Sequence, residues 1–182
     1  MPKRNPQLTF EGFNRPNDFF GGGHLKNSHA KTKRPLESKL PIHLCLRSNL
    51  SLFRLPKNYR KVNETVANIC RKHGVKIYEY ANVGNHIHLL IRIPSVRRWA
   101  AFIRELTGRL AQIAQGLKLS EKGVEQFWKQ RPFTRIVRGW QKTYKIAKEY
   151  IQLNQLEAEG YISRKDTKTL KDLRAFLNDG FS

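Results

Sequence analysis

His86 and His88 stand two residues apart in the stretch "NHIHLLIRIP". On a β-strand, side chains two apart project from the same face with backbones roughly 6–7 Å apart. Both imidazoles can then reach one divalent ion, and histidine is the commonest metal ligand at neutral pH. The alternative is a pair of histidines decorating a half-exposed sheet face. Further along, "YKIAKEYIQLNQLEAEG" places Tyr150 and Asn154 four residues apart and so on one helical face. An amide oxygen suits a hard cation. A phenol is a weak nucleophile at its ordinary pKa of about 10; a nearby cation favours the phenolate, and tyrosine can form covalent intermediates. Tyr150 equally continues an apolar stripe with Ile146 and Leu153, and so also reads as core. Tyr144 is a rival nucleophile six residues earlier, on a different face from Asn154. His43 either shares the site or is a satisfied sheet histidine. His73 falls at a helix C-terminus, where a partly charged imidazole is favourable, and receives no function.

These residues need elements to hold them. "IHLCLR" (42–47) suits a half-buried or central strand. Pro56 and Asn58 open a helix with the stripe Val62, Val66, Ile69 and Cys70, stopped by Gly74. "VKIYEYA" (75–81) and "HIHLLIRI" (86–93) form a hairpin around Gly84-Asn85, ended by Pro94. In the second strand Ile87, Leu89, Ile91 and Ile93 share one face, while His86 and His88 share the other with Leu90 and Arg92. From Ser95 to Leu117, Trp99, Phe102, Ile103, Leu106, Leu110, Ile113 and Leu117 recur at three- and four-residue steps, so a helix is predicted with Ser95 as its cap. A fourth strand is expected around Phe133–Arg138 and a long helix over about 141–157. Leu170, Leu173 and Leu177 suggest one more short helix. The order β-α-β-β-α-β followed by a helix is α+β and ferredoxin-like: a four-stranded sheet with two helices on one face, the other face left open. Such a fold hosts many functions and names none.

The chain has 182 residues, 35 Lys/Arg and 14 Asp/Glu, and a net charge of +21. Its length suits one domain with appendages, and 39% hydrophobic residues supply a core. No apolar run reaches the roughly 18–20 residues of a membrane span. The opening "MPKRNPQLTFEGF" lacks an apolar signal core, so secretion is not expected. Two cysteines, Cys45 and Cys70, exclude a disulfide framework or a Cys-rich zinc module, and a cytosolic, reduced compartment is expected. The charge excess points to a polyanionic partner, nucleic acid ahead of anionic membrane. Residues 1–39, with Gly21-Gly22-Gly23 and scattered Lys/Arg, read as a basic arm: eight Lys/Arg against three Asp/Glu give +5. Residues 92–148 hold fourteen Lys/Arg against Glu105, Glu121 and Glu125, a net +11, so the charge belongs mainly to the folding part.

His-hydrophobe-His on a central strand, with a tyrosine on a late helix and an amide residue four positions on, resembles the single-tyrosine HUH transposases. These comprise the insertion-sequence and the repeat-associated tyrosine transposases. The resemblance runs through "HLCLRS", "GVKIYEYANVGNHIHLLIRIP", "FWKQRPFTRIV" and "YIQLNQLEAEGYI", over roughly 40–162. It divides the chain into an arm (1–39), a transposase domain (40–162) and a helical tail (163–182). It implies His86 and His88 as a metal pair, Tyr150 as nucleophile and Asn154 as the third, amide ligand. It also implies a homodimer that cuts and rejoins single-stranded DNA beside small hairpins through a 5′-phosphotyrosine. Mg²⁺ or Mn²⁺ suits exchange at phosphate. The stretch after the tyrosine reads Asn154-Gln155 where members frequently have Asn-Pro, and "GGGHLKNSHAKTKRPL" does not match the DNA-guiding N-terminal motif of repeat-associated members.

For phosphate contacts the candidates are Arg97, Arg98, Arg104, Arg109, Arg131, Arg135, Arg138, Lys142 and Lys145. Trp128, Trp140 and Phe133 interleave with them as platforms for unpaired bases; Trp99 reads as core. No Gly-x-x-x-x-Gly-Lys-Ser/Thr loop occurs, in keeping with chemistry that needs no nucleotide cofactor. The expected location is cytoplasmic, at the nucleoid. A domesticated or inactive relative that holds hairpin DNA or RNA without cutting it is the alternative, and a replication- or conjugation-type nickase is a third reading.

Overall fold

Alternation of apolar residues along two neighbouring strands decides how this molecule is layered. A computed structural model describes residues 19–21, 34–118, 121, 123, 126–139 and 141–163. Its elements are β1 (Phe19–Phe20), β2 (Ile42–Arg47), α1 (Pro56–Lys72), β3 (Lys76–Asn82), β4 (His86–Arg92), a 3₁₀ turn (Val96–Arg98), α2 (Trp99–Gln115), β5 (Phe133–Ile136) and α3 (Lys142–Glu159). The order across the sheet is β1-β5-β2-β4-β3, and every pairing is antiparallel. Its four-stranded core β5-β2-β4-β3 has the order expected of a ferredoxin-like fold. The two-residue strand β1 extends it from within the segment read as an arm. Among the described residues no helix is long and apolar enough to cross a membrane.

In β2 and β4 the register sets Leu44 opposite Leu89, Leu46 opposite Ile87 and Ile42 opposite Ile91. All six are at most 1% exposed and pack with Val62, Val66, Phe102, Leu106 and Leu110 of α1 and α2. Each such burial contributes on the order of 1.5–3 kcal/mol, so this face carries most of the hydrophobic stabilisation. Pro56 stands in the first turn of α1, where its missing N–H costs nothing. Asn58, also buried, ties the two helices by donating from Nδ2 to the carbonyls of Leu52 (3.0 Å) and Ala114 (2.8 Å). At the far end Glu105 of α2 receives Lys72 (2.7 Å) and His73 (2.8 Å). His73 therefore has a structural partner, consistent with giving it no function.

Two boundaries differ from the sequence reading. Ser95 does cap, accepting from the Arg97 N–H at 3.2 Å, but it caps the 3₁₀ turn, and the α-helix proper starts at Trp99. The cap of α2 is Gly116, with φ of 71°, a conformation open to glycine without a Cβ penalty. The hairpin turn before β4 relies on Gly84 in the same way, at φ 92°. In β3 the register shifts between Ile77 and Glu79, so Tyr78 is the extra residue of a bulge. The helix suggested by Leu170, Leu173 and Leu177 lies outside the described residues.

Candidate active site

The sheet face opposite α1 and α2 is covered by α3. Ala147 and Ile151 bury against Ala81, Leu90 and Val137, with Tyr78, Tyr144 and Tyr150 packed around them. Polar anchors align the helix along β3. The Asn82 backbone N–H donates to Gln155 Oε1 (2.9 Å), Gln152 Nε2 donates to Glu79 Oε2 (3.1 Å), and Lys148 Nζ lies 3.8 Å from the same carboxylate. Burial pushes the Glu79 carboxyl up, and Lys148 opposes that shift. Tyr144 meets the bulged Tyr78 edge-on, ring centroids 5.6 Å apart. The rival tyrosine is thus packed along β3.

Tyr150 is placed differently. Its ring lies edge-on to His88, centroids 5.6 Å apart, and to His43 at 5.9 Å. His86 and His88 are themselves 4.8 Å apart, in a T-shaped arrangement. The predicted pair and the predicted nucleophile are therefore brought together although about sixty residues separate them in the chain. Asn154, 1% exposed, sits one turn on; its Nδ2 donates to the Tyr150 carbonyl at 2.6 Å. That bond uses the amide's donor, and its oxygen is the atom suited to a hard cation.

Hydrogen bonds behind the histidines bear on their tautomers. His86 Nδ1 is 2.6 Å from Asn85 Oδ1, an acceptor, so that nitrogen carries the proton, and in the neutral ring Nε2 carries the lone pair. His88 Nδ1 is 3.0 Å from His43 Nε2. His43 is stacked on His88, centroids 5.2 Å apart, and touches Phe133 edge-on at 6.2 Å. Burial, then the neighbouring Arg135, pushes the His43 imidazole down to about 4, so it is neutral near pH 7. Burial also lowers the half-buried Arg135 guanidinium, and charge on Tyr150 opposes that shift. Cys45 pairs across the sheet with His88. Burial raises its thiol to about 12, only partly offset by Arg47, which leaves a protonated, inert sulfur. Among the described residues no three His, Cys, Asp or Glu side chains are grouped to hold a metal ion. The His86 and His88 imidazoles lie side by side here, and Asn154 sits one helical turn beyond Tyr150.

The basic residues do not gather around this site as a single groove. Arg97, Arg98, Arg104 and Arg109 are exposed, but they belong to the 3₁₀ turn and α2, across the sheet from Tyr150. Arg135 is on the site face, directly opposite His43 in the β2–β5 register. Lys142 and Lys145 are exposed on α3, and Arg138 is exposed just beyond β5. Arg131, half-buried, lies near enough to Arg34 to lower that guanidinium further, after burial. Trp128, half-buried, is packed on Phe127 (5.0 Å) and Phe53 (6.0 Å). Trp140 lies outside the described residues.

His43 is the member that sequence reasoning left undecided. Its place follows from register: Cys45 opposite His88 sets His43 diagonally beside it, within reach of a large ring. An alternating "IHLCLR" strand shows which residues share a face but not which neighbours they meet.

A family model for IS200-like transposases matches residues 38–154. The chain belongs to this family. The match spans β2 through Asn154, and so takes in every member of the cluster around Tyr150. Among solved structures, this transposase is similar to a REP-associated tyrosine transposase bound to a REP hairpin. The TM-score is 0.57 at 16% identity, with 79% of each chain covered. It is also similar to a Deinococcus radiodurans R1 protein provisionally named a transposase, with TM-score 0.44 and 14% identity over 70% of this chain and 98% of that one. No curated protein matches the transposase. The likeness to the first structure is one of overall fold.

Proposed function

We propose that this transposase cleaves and rejoins single-stranded DNA through a 5′-phosphotyrosine on Tyr150, with His86, His88 and Asn154 holding Mg²⁺ or Mn²⁺. The observation that carries this reading is the Tyr150 ring set 5.6 Å from His88, on the sheet face where the His-x-His pair projects. When bound, such a cation would offset negative charge on a nonbridging oxygen of the scissile phosphate.

The remaining work falls to the chain. Anchored by Gln152 and Gln155, α3 holds the Tyr150 ring beside the histidine face, which lowers the entropic cost of aligning nucleophile and phosphate. Arg135 offers positive charge to the phenolate and to the phosphate it attacks. In the first step the Tyr150 Oη–P bond forms and the bond from phosphorus to the 3′ oxygen breaks. The phenol proton passes to solvent, and the departing oxygen takes one up as a 3′-OH. Attack by a 3′-OH from another strand reverses the sequence, restoring the phenol and joining DNA. The phosphodiester energy is kept throughout, so no nucleotide cofactor is consumed.

Support for a hairpin-bearing substrate comes from the similar structure, which holds a REP hairpin. Lys142, Lys145 and Arg138 are the exposed cations placed to follow its backbone. One tyrosine serves one strand end, so joining two ends calls for a homodimer. The test is incubation with labelled, hairpin-flanked single-stranded DNA and Mn²⁺. A denaturation-resistant protein–DNA adduct, absent from Tyr150→Phe, is expected. Binding without an adduct in the wild type would favour the alternative, a hairpin-binding module that no longer cuts.

A further inference from the structure

The two histidines of the site are held from behind in matching ways, once by a neighbour in sequence and once by a residue on another strand. His86 Nδ1 meets Asn85 Oδ1 at 2.6 Å, and His88 Nδ1 meets His43 Nε2 at 3.0 Å. A hydrogen bond between two ring nitrogens needs one protonated nitrogen and one lone pair. Where His43 Nε2 supplies the lone pair, His88 is protonated at Nδ1 and its Nε2 lone pair points away from His43. That is the arrangement Asn85 imposes on His86, whose partner oxygen is only an acceptor. A ligating histidine is commonly fixed by such a bond to its second nitrogen, which selects the tautomer and orients the ring.

We infer that His43 is a positioning residue: its Nε2 accepts from His88 Nδ1 and so fixes the tautomer and ring plane with which His88 faces Tyr150, as Asn85 does for His86. This rests on the metal-binding reading of His86 and His88. His43 itself touches neither metal nor phosphate. Three features support it. The imidazoles of His43 and His88 are stacked with an interplanar angle of 28°, so the contact constrains the ring plane as well as its edge. His43 is wedged by Phe133 at 6.2 Å and Tyr150 at 5.9 Å, which limits its own rotation. Its backbone is locked into the central pairing of β2 with both β4 and β5. The support for His88 therefore comes from a strand paired on both sides.

The experiment uses full-length protein labelled with ¹⁵N-histidine, first metal-free in chelator. Long-range ¹H–¹⁵N correlations should show His86 and His88 both protonated at Nδ1. In His43→Phe, which keeps a ring but no acceptor, His88 should lose that single tautomer. Its affinity for Mn²⁺, read as free Mn²⁺ by electron paramagnetic resonance, should fall about 10–100-fold, the usual range for loss of such a supporting bond. His43→Gln, whose amide oxygen is again an acceptor, should recover part of both signals; it also serves should the Phe variant fail to fold. The inference is overturned if wild-type His88 is protonated at Nε2, or if His43→Phe changes neither tautomer nor Mn²⁺ affinity. If His43→Phe shifts the His88 tautomer while the wild type binds no Mn²⁺, the positioning role stands and the metal reading falls.

Discussion

One strand, β4, presents two unlike surfaces. Toward α1 and α2 it turns Ile87, Leu89 and Ile91, each fully buried. Toward α3 it turns His86, His88 and Leu90, amid Tyr150, His43 and Arg135. The first surface works by volume and dryness, and many hydrophobic sets of similar size would serve. The second works by placement: four elements, β2, β4, β5 and α3, each contribute one or two groups to a small space. Stability and chemistry are thus separated by the thickness of a single strand, and neighbouring substitutions should have unlike consequences.

Tyr150→Phe should break that comparison most sharply. Adduct formation is expected to fall by at least about 10³-fold, since the nucleophile is gone, while thermal unfolding changes little because the ring remains. Gel detection of the adduct beside a melting curve checks both halves. Next, His88→Ala should lower strand cleavage by more than about 10²-fold, the direction expected when a ligand rather than its supporting bond is lost, with a clear drop in Mn²⁺ affinity. One position away, Leu89→Ala should do the reverse. About 2–5 kcal/mol of stability is lost through the cavity, yet protein still folded at low temperature keeps its Mn²⁺ affinity. If Leu89→Ala and His88→Ala gave the same pattern in denaturation and metal titration, the division into two faces would be wrong.

Two smaller effects sharpen the contrast. Asn58→Ala removes the bonds to the Leu52 carbonyl and to the Ala114 carbonyl, the second of which ties α1 to α2. It should cost about 1–3 kcal/mol, visible in urea midpoints and not in DNA cleavage once folded. Glu79, under α3, has its carboxyl pushed up by burial. The folded state therefore binds that proton more readily than the unfolded chain does. Its contribution to stability is full below the ordinary glutamate range and is lost as pH rises through the raised value. Because the side chain is partly solvated, the size is about a few tenths of a kcal/mol. Urea midpoints of the wild type and Glu79→Gln, compared on either side of that range, should diverge accordingly.

Much of the architecture was legible because it rests on local periodicity. The period-two pattern of 86–93 and the three- and four-residue steps of 95–117 report directly which faces are dry. Pro56, Gly74 and Gly84 mark ends that backbone sterics dictate. Spacing alone put His86 with His88 on one strand face and Tyr150 with Asn154 on one helix face; the family resemblance joined the two pairs. Other features depend on long-range pairing, which periodicity does not encode. His43 meets His88 only through the β2–β4 register. Trp128 packs on the sequence-distant Phe53. The run of arginines from 97 to 138 looked like one groove in sequence, yet α2 and β5 carry its parts to opposite sides of the sheet.

The anchoring of α3 to β3 and β4 also governs when during its lifetime the chain can become reactive. The histidines leave the ribosome well before Tyr150, with about sixty residues still to be made between them. At roughly 5–20 residues per second that interval lasts several seconds. Throughout it the nascent chain has its imidazole pair but not Tyr150 beside it. On the proposed mechanism, cutting would therefore wait for α3 to be made and docked.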